Sequence, residues 1–344
     1  MNQAGSDNES NRTANQPVPG RKVTPGDDQS AFWSRNDAGG SRKRRVLAVF
    51  NPAAGDVPAA RDAQTALLSR LQAGLAAHGL QLERIAFNPE RFSQVLQERL
   101  GDDLCAIFVL GGDGTVLAVV EALHGAQIPV GILPGGTMNW LARDLGLPPD
   151  PEQALTALLN PALRQIDLGR VNGHPFLCAC MVGVAALLAR YRERHRQQPR
   201  WRRWPGLFLS ALKLWGRYPH LRMSLVTNGQ IHRLRSRTLV VVNNRVEPAV
   251  RLIPGRPRLD EGVLALYAMR RATLPRLRSL LARLMSEAWS IEDVLLTETG
   301  TSLCVELPGI KTLPVLLDGE IRRLQAPLQF SIEARAVPVL VPAN

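Results

Sequence analysis

Three glycine turns with an acid among them are the residues whose types and spacing point to chemistry. They read "FNPAAG" at 50–55, "LGGDGT" at 110–115 and "LPGGTMN" at 133–139. Glycine lets backbone N–H groups come close to phosphate oxygens, and a helix starting just after such a turn adds about half a positive charge at its first amides. All three turns suit polyphosphate. Asp113 is the anomaly, because a carboxylate repels phosphate unless a cation lies between them. It implies Mg2+ bound together with a nucleotide. Gly-Gly-Asp-Gly is also ordinary tight-turn composition, so one such turn alone would decide nothing. The spacing matches neither the Walker phosphate loop nor the dinucleotide fingerprint, and no Gly-Lys-Ser/Thr occurs.

What positions these turns is an alternation of strand-like and helix-like runs. "RRVLAVF", "LQLERIAF", "LCAIFVL" and "IPVGILP" read as strands. "ARDAQTALLSRLQAGLAAHG", "PERFSQVLQERL", the stretch after Gly114 and "TMNWLARDLG" read as helices, with Leu67, Leu68, Leu71 and Leu75 on one side of the first. Continuous apolar strands alternating with helices imply a doubly wound parallel sheet covered on both faces, an α/β unit over residues 44–165. In such sheets ligands bind beyond the carboxyl ends of the strands, where all three turns fall.

From residue 166 to 344 the texture changes. "RQIDLGRVNG", "HPFLCACMVGV", "LRMSLVTNGQIHRLRSRTLVVVNN", "GVLALYAM", "SLCVEL" and "LPVLLDGE" are short β-like runs broken by turn signals such as Asn172-Gly173 and Asn228-Gly229. A mainly antiparallel, sandwich-like domain is expected, with helical inserts at "PGLFLSALKLWGRY" and "LPRLRSLLARLMSEAWS". Residues 1–43 are polar and almost free of aliphatic side chains, which predicts a disordered tail. A chain of 344 residues exceeds the usual limit of one core, about 250–300 residues. With 45% hydrophobic and 21% charged residues the composition is that of a globular protein. No apolar run reaches the roughly 20 residues of a membrane span, and no signal-peptide core opens the chain. The four cysteines are scattered through apolar runs, consistent with a reducing cytoplasm; Cys178 and Cys180 read as packing rather than as a metal pair.

The motifs "NPAAG", "LGGDGT", "GILPGGTMNWLARDLGLP", "IDLGRVNG" and "LLDGE" stand in the order and spacing of the diacylglycerol kinase catalytic-domain family, which this chain resembles from about residue 45 to 342. The GGDGT loop alone is shared with NAD kinases; the Gly-Thr-x-Asn helix start and the late Asp-Gly-Glu favour the lipid kinases. The resemblance implies ATP in a cleft between the two domains, held by Gly111, Gly112, Asp113, Gly114, Thr115 and Thr137, with Asn51 and Gly55 lining the adjacent turn. It implies that Glu320 accepts the proton of a lipid hydroxyl, that Asp113 shares the catalysis, and that Asp318 either lies near the metal or supports the residues that do. It further implies a Mg2+ loop in "RPRLDEGVLALY", with Glu261 in place of the usual Asp and Asp260 beside it. Without the resemblance, Asp-Gly-Glu reads as a hairpin turn.

The chain departs from the family pattern at Leu117 and Ala118, where Asn and Glu are common, at Trp140, where an acid is frequent, and at Ala185, in place of an aspartate on the acceptor side. These losses keep open a catalytically weak or purely lipid-binding member, beside an NAD kinase-type metabolite kinase. The net charge of +12 has its own place. Between Arg190 and Arg235 stand twelve Lys and Arg against one acid, Glu193. There, Leu207, Phe208, Ala211, Leu212 and Trp215 pattern an amphipathic helix. A basic segment of this kind suits peripheral contact of a cytoplasmic protein with the anionic inner membrane surface, where each basic residue contributes ~1 kcal/mol. Core docking explains such a helix equally well. Nothing beyond charge points to nucleic acid, as no recognition motif occurs.

Overall fold

The computed structural model describes residues 32–33, 44–51, 58–123, 125–136, 138–184, 186–187, 219–227, 229–247, 255–269 and 295–343. Gly55, Thr137, Ala185, both helical inserts, the 188–218 part of the basic segment and most of the expected tail lie outside these residues.

The first half follows the expected alternation: β1 (Arg45–Phe50), α1 (Pro58–Ala76), β2 (Gln81–Ala86), α2 (Phe92–Gln97), β3 (Leu104–Gly111), α3 (Asp113–Ala122), β4 (Val130–Pro134), α4 (Trp140–Asp144) and α5 (Pro151–Leu158). The order β2-β1-β3-β4 is parallel throughout. All eight residues of β3 are buried, which is why it reads as a continuous apolar run. Helix α1 lays Leu67, Leu68, Leu71 and Leu75 into the core. Helix α5 is an element the sequence reading passed over. Its start signal is explicit: Asp150 Oδ2 accepts from Gln153 N at 3.2 Å and Pro151 takes the first helical position.

The second half contains β5 (Pro161–Val171), β6 (His174–Phe176), β7 (Ala179–Gly183), β8 (Leu221–Thr227), β9 (Gln230–Ser236), β10 (Thr238–Asn243), β11 (Leu264–Met269), β12 (Leu295–Gly300), β13 (Ser302–Glu306), β14 (Thr312–Leu317), β15 (Glu320–Gln325) and β16 (Leu328–Pro342). Six of these form a separate antiparallel sheet, in the order β12-β11-β10-β7-β14-β15. Asn172-Gly173 makes the β5–β6 turn with both φ angles positive, 47° and 82°, as an Asn-Gly hairpin requires.

The last strand joins the halves. β16 pairs antiparallel with β13 and β5, then runs beside β4 at Val339↔Val130, so the parallel strands and several antiparallel ones form a single ten-stranded sheet. The register of β16 shifts between Glu333 and Val337, at a bend where Arg335 has φ 51°. Buried Val337, Val339 and Leu340 belong to the core of the first half, while Leu328 and Phe330 belong to a second cluster with β8, β10, β11 and β14.

Two residues of the segment read as a tail are docked. Trp33 is buried, its Nε1 donates to Leu159 O at 2.8 Å, and its ring stacks on Phe108 at 6.4 Å. Mean composition concealed them, since one buried indole anchors a stretch that is otherwise polar.

Candidate active site

The turns after β3 and β4 lie back to back. Gly135 N donates to Gly111 O at 2.9 Å, and a Cβ built on Gly136 would stand 2.5 Å from Gly112 Cα. Only two bare backbones approach so closely, so these glycines are required by contact and not by φ. A Cβ on Gly111 would likewise strike the side chain of Thr115, which is buried against the turn. Asn51 ends β1 next to this pair, its amide bonded to Leu110 O at 3.3 Å. Thus Asn51, Gly111, Gly112, Asp113, Gly114 and Thr115 lie at one end of the parallel strands, the carboxyl end expected for a ligand.

Asp113 has a duty the sequence reading did not foresee. Its Oδ2 accepts from Trp140 N at 3.0 Å and its Oδ1 from Leu141 N at 3.1 Å, so it caps α4 from the neighbouring turn. The first amides of a helix have no partner within it, and Asn139, left-handed at φ 42°, is occupied elsewhere: its Oδ1 and Nδ2 close the loop on Gly136 N and O, both at 2.9 Å. Burial pushes the Asp113 carboxyl up, opposed by these amides and by Arg256.

On the other side, the Asp-Gly pair of "LLDGE" forms the two-residue turn between β14 and β15, with φ 44° at Asp318 and 99° at Gly319. Asp318 spends both oxygens on backbone: Oδ2 on Leu177 N at 2.5 Å, Oδ1 on Cys178 N at 2.9 Å and Ala179 N at 2.8 Å. A metal near Asp318 would share these oxygens with three amides, one on Oδ2 and two on Oδ1. The Asp318 carboxyl is pushed up to about 6, by burial first and by Asp113 in addition, the amides opposing. Asp113 and Asp318 therefore sit within each other's field. Glu320 follows the turn, exposed, and its Oε1 would lie 3.1 Å from a Cβ placed on Gly114, at the start of α3. Arg322, one step along the same face of β15, reaches His174 Nδ1 at 3.2 Å and Glu121 at 3.4 Å, fastening the hairpin to α3.

Beneath both turns lies a buried polar cluster that sequence reasoning missed. Arg256 Nε donates to Asp144 Oδ2 at 2.6 Å, and its Nη1 to Leu177 O at 2.7 Å and Asn243 O at 2.9 Å. The guanidinium carbon stands 5.5 Å from the Trp140 ring centroid. Asp167, fully buried, accepts from Gly262 N at 2.6 Å and Arg335 N at 2.7 Å, pinning the 260–262 loop to the bend in β16. The available signal was polar residues inside apolar runs, as in "QIDLG" and "VVVNN", since a buried polar group persists only when it is bonded.

The expected metal loop is mixed in character. Asp260 lies between Arg258 at 3.3 Å and Arg335 at 4.0 Å, whereas Glu261 Oε2 is buried and accepts no hydrogen bond, with Arg245 at 3.8 Å. Glu261 thus offers one unspent carboxylate oxygen; among the described residues no group of three or more His, Cys, Asp or Glu is arranged to hold a metal. Cys178 and Cys180 pack into different core clusters, and burial raises both thiols.

Residues 45–171 match the family model of the diacylglycerol kinase catalytic domain. Over that stretch the chain is similar to the diacylglycerol kinase catalytic domain. A diacylglycerol kinase of Mycobacterium tuberculosis is 26% identical over 311 residues, spanning 87% of this chain and 96% of that protein. A Pseudomonas aeruginosa protein named "Probable lipid kinase YegS-like" is 40% identical over 96 residues, 27% of this chain and 32% of its own. In fold, the chain matches a solved diacylglycerol kinase structure from Bacillus anthracis with TM-score 0.62 at 19% identity, over 89% of this chain and 98% of that one. The matched domain contains both glycine turns and Asp113; Glu320 comes from beyond it.

Proposed function

We propose that the chain is an ATP- and Mg2+-dependent lipid kinase that phosphorylates the hydroxyl of a diacylglycerol-like lipid. The observation that carries the reading is the meeting of two glycine turns, closed on each other after β3 and β4, with an exposed carboxylate, Glu320, held over the start of α3 and 3.8 Å from the Arg322 guanidinium. The amides of Gly111–Thr115 suit the phosphates of ATP; in the sequence Thr137 belongs to the turn after β4, and Asn51 and Gly55 to the turn after β1. Glu320 takes the proton of the lipid hydroxyl as its oxygen bonds to the γ-phosphorus; the bond from that phosphorus to the bridging oxygen breaks and ADP leaves. Phosphoryl transfer asks mainly for positioning and charge neutralisation, with one base for the alcohol. Mg2+ would supply charge neutralisation at the phosphates. Each Asp113 oxygen accepts only one amide and keeps lone-pair capacity toward such an ion. A second cation in the 258–263 loop would find a ligand in Glu261, whose Oε2 is buried without a donor.

Transfer of labelled γ-phosphate from ATP into mixed-micelle lipids tests the reading. Glu320→Gln should lower kcat about 10²–10⁴-fold, the usual contribution of a general base. No labelled lipid from the native chain, with ATP still bound, would favour a lipid-binding protein without turnover.

Contact with an anionic membrane is part of the same proposal. No helix of the described residues is long and apolar enough to cross a membrane. On the outward face of the β8–β9 hairpin, Arg222 lies opposite Arg235, Arg233 follows on the same face, and Ile231 is 63% exposed. Like charges directly opposite destabilise a hairpin, and an anionic leaflet would relieve them. Vesicles containing anionic lipid should bind the native chain more tightly than Arg222→Gln/Arg233→Gln/Arg235→Gln; equal binding rejects this surface.

A further inference from the structure

The kinase reading assigns work to Asp113 and Glu320, which come from different halves of the chain, and leaves unexplained what keeps them at a fixed separation. We propose that Arg256 is a positioning residue that sets this separation by tying the helix that holds Asp113 to the segment that holds the Asp318–Glu320 turn. The proposal rests on the kinase reading, and the contacts that carry it are independent of that reading.

Two paths leave the guanidinium. Through Nε at 2.6 Å, and through the Arg256 backbone N–H at 3.5 Å, Arg256 bonds both oxygens of Asp144, the last residue of α4. The first residues of that five-residue helix, Trp140 and Leu141, give their amides to Asp113. Through Nη1, Arg256 bonds Leu177 O, and Nη2 lies 3.6 Å from Cys178 Sγ. The amides of Leu177, Cys178 and Ala179 hold Asp318, whose own N–H returns to Ala179 O at 3.1 Å, and Glu320 stands two residues on. Asn243 braces the same segment: its Nδ2 donates to Leu177 O at 3.3 Å and its N–H to Cys178 O at 3.0 Å, while its own carbonyl accepts from Arg256 Nη1.

Arginine is the side chain this place requires. It must satisfy acceptors lying in several directions while carrying a charge that Asp113, Asp144 and Asp318 all feel. A guanidinium offers five donors in a rigid fork; an ammonium supplies the charge on three donors around a point. The Arg256 side chain has no exposure and that of Asp144 has 2%, with the Trp140 ring over the guanidinium, so water cannot replace a lost partner. Arg258, two residues away and largely exposed, pairs among the described residues with Asp260.

A strut that merely stabilised the fold would also be sensitive to substitution, so the test separates stability from placement. Arg256→Met should lower kcat about 100-fold, the usual cost of a displacement near 1 Å in a reacting group, with KM for ATP changed less than about threefold. Arg256→Lys, which keeps the charge, should recover part of kcat and serves where the methionine variant fails to fold. Asp144→Leu combined with Arg256→Met replaces the ion pair with apolar groups and should regain unfolding midpoint. Its kcat should stay as low as that of Arg256→Met, because the bonds to Leu177 and Asn243 are still missing. A kcat that recovers with stability, or native kcat in Arg256→Met, overturns the proposal. Amide exchange supplies a readout without turnover. Protection of Cys178 and Ala179 should fall at least about tenfold in Arg256→Met or Arg256→Lys, relative to the β1 and β3 amides. Unchanged protection refutes the proposal even if the native chain labels no lipid, a result that would count against the kinase reading alone.

Discussion

Gly136→Ala is the sharpest perturbation of the nucleotide side. The added methyl would stand 2.5 Å from Gly112 Cα and 2.9 Å from Asn139 Oδ1, and neither neighbour can swing aside: one is backbone, the other is bonded to the loop it closes. Carbon atoms in contact sit about 3.5–4.0 Å apart, so the two turns must separate by about 1 Å. Overpacking of this size costs about 1–3 kcal/mol of stability, and displacement of a phosphate cradle by 1 Å costs about 100-fold in rate. The expected loss in kcat/KM for ATP is therefore about 100-fold, or ~2.7 kcal/mol of transition-state binding. Gly114→Ala is the contrasting variant: its methyl meets the Glu320 side chain, with Oε1 at 3.1 Å, so it should disturb the base and not the spacing of the two turns, lowering kcat more than ATP affinity. Steady-state kinetics with ATP, nucleotide affinity by calorimetry and a urea midpoint should be measured on both. Native ATP affinity and rate in a folded Gly136→Ala protein would refute a phosphate role for the paired turns.

Two further outcomes follow from single groups. Trp33→Ala removes a buried indole and its bond to Leu159 O, and urea unfolding should show a loss of about 3–5 kcal/mol; a loss below about 1 kcal/mol would mean that the segment is not docked in solution. Asp318, with its carboxyl pushed up to about 6 against ~3.9 in an unfolded chain, holds its proton more tightly when folded. Its contribution to stability is full below pH ~4 and is lost as the pH rises through about 6. Asp318→Asn should flatten the unfolding free energy across that window, and an unchanged pH slope would contradict the assignment.

The parallel sheet was legible because β1, β3 and β4 are buried on both faces and their helices are periodic, and the Asn172-Gly173 and Asp318-Gly319 turns were legible because left-handed residues announce themselves. Strand β16 was missed for a physical reason. Its alternation of Leu328, Phe330 and Ile332 is interrupted by the register shift before Val337, after which it is buried in the other core cluster, so no single period describes it. The site was legible as a set of residues and not as a set of bonds. The acid within a glycine turn singled out Asp113, and the family resemblance singled out Asp318; that each accepts amides of another segment depends on which segments meet, which no local pattern encodes.

The same contacts change the meaning of the apparent losses. Leu117 is 2% exposed in the core face of α3, where a polar side chain would need a buried partner, so leucine at that position is packing. Trp140, in place of an acid, lies against Arg256, and that guanidinium is neutralised instead by Asp144 at the far end of the same five-residue helix. A second carboxylate at 140 would put like charge beside Asp113, whose carboxyl burial already pushes up. Removing that acid and burying an arginine close by therefore move the local charge in one direction, toward fewer unpaired negatives beneath the phosphate turns. On the proposed reading, chemistry that must gather the negative charge of a triphosphate gains from that shift, and Glu320, exposed at the start of α3 and spending no oxygen on backbone, keeps Arg322 at 3.8 Å.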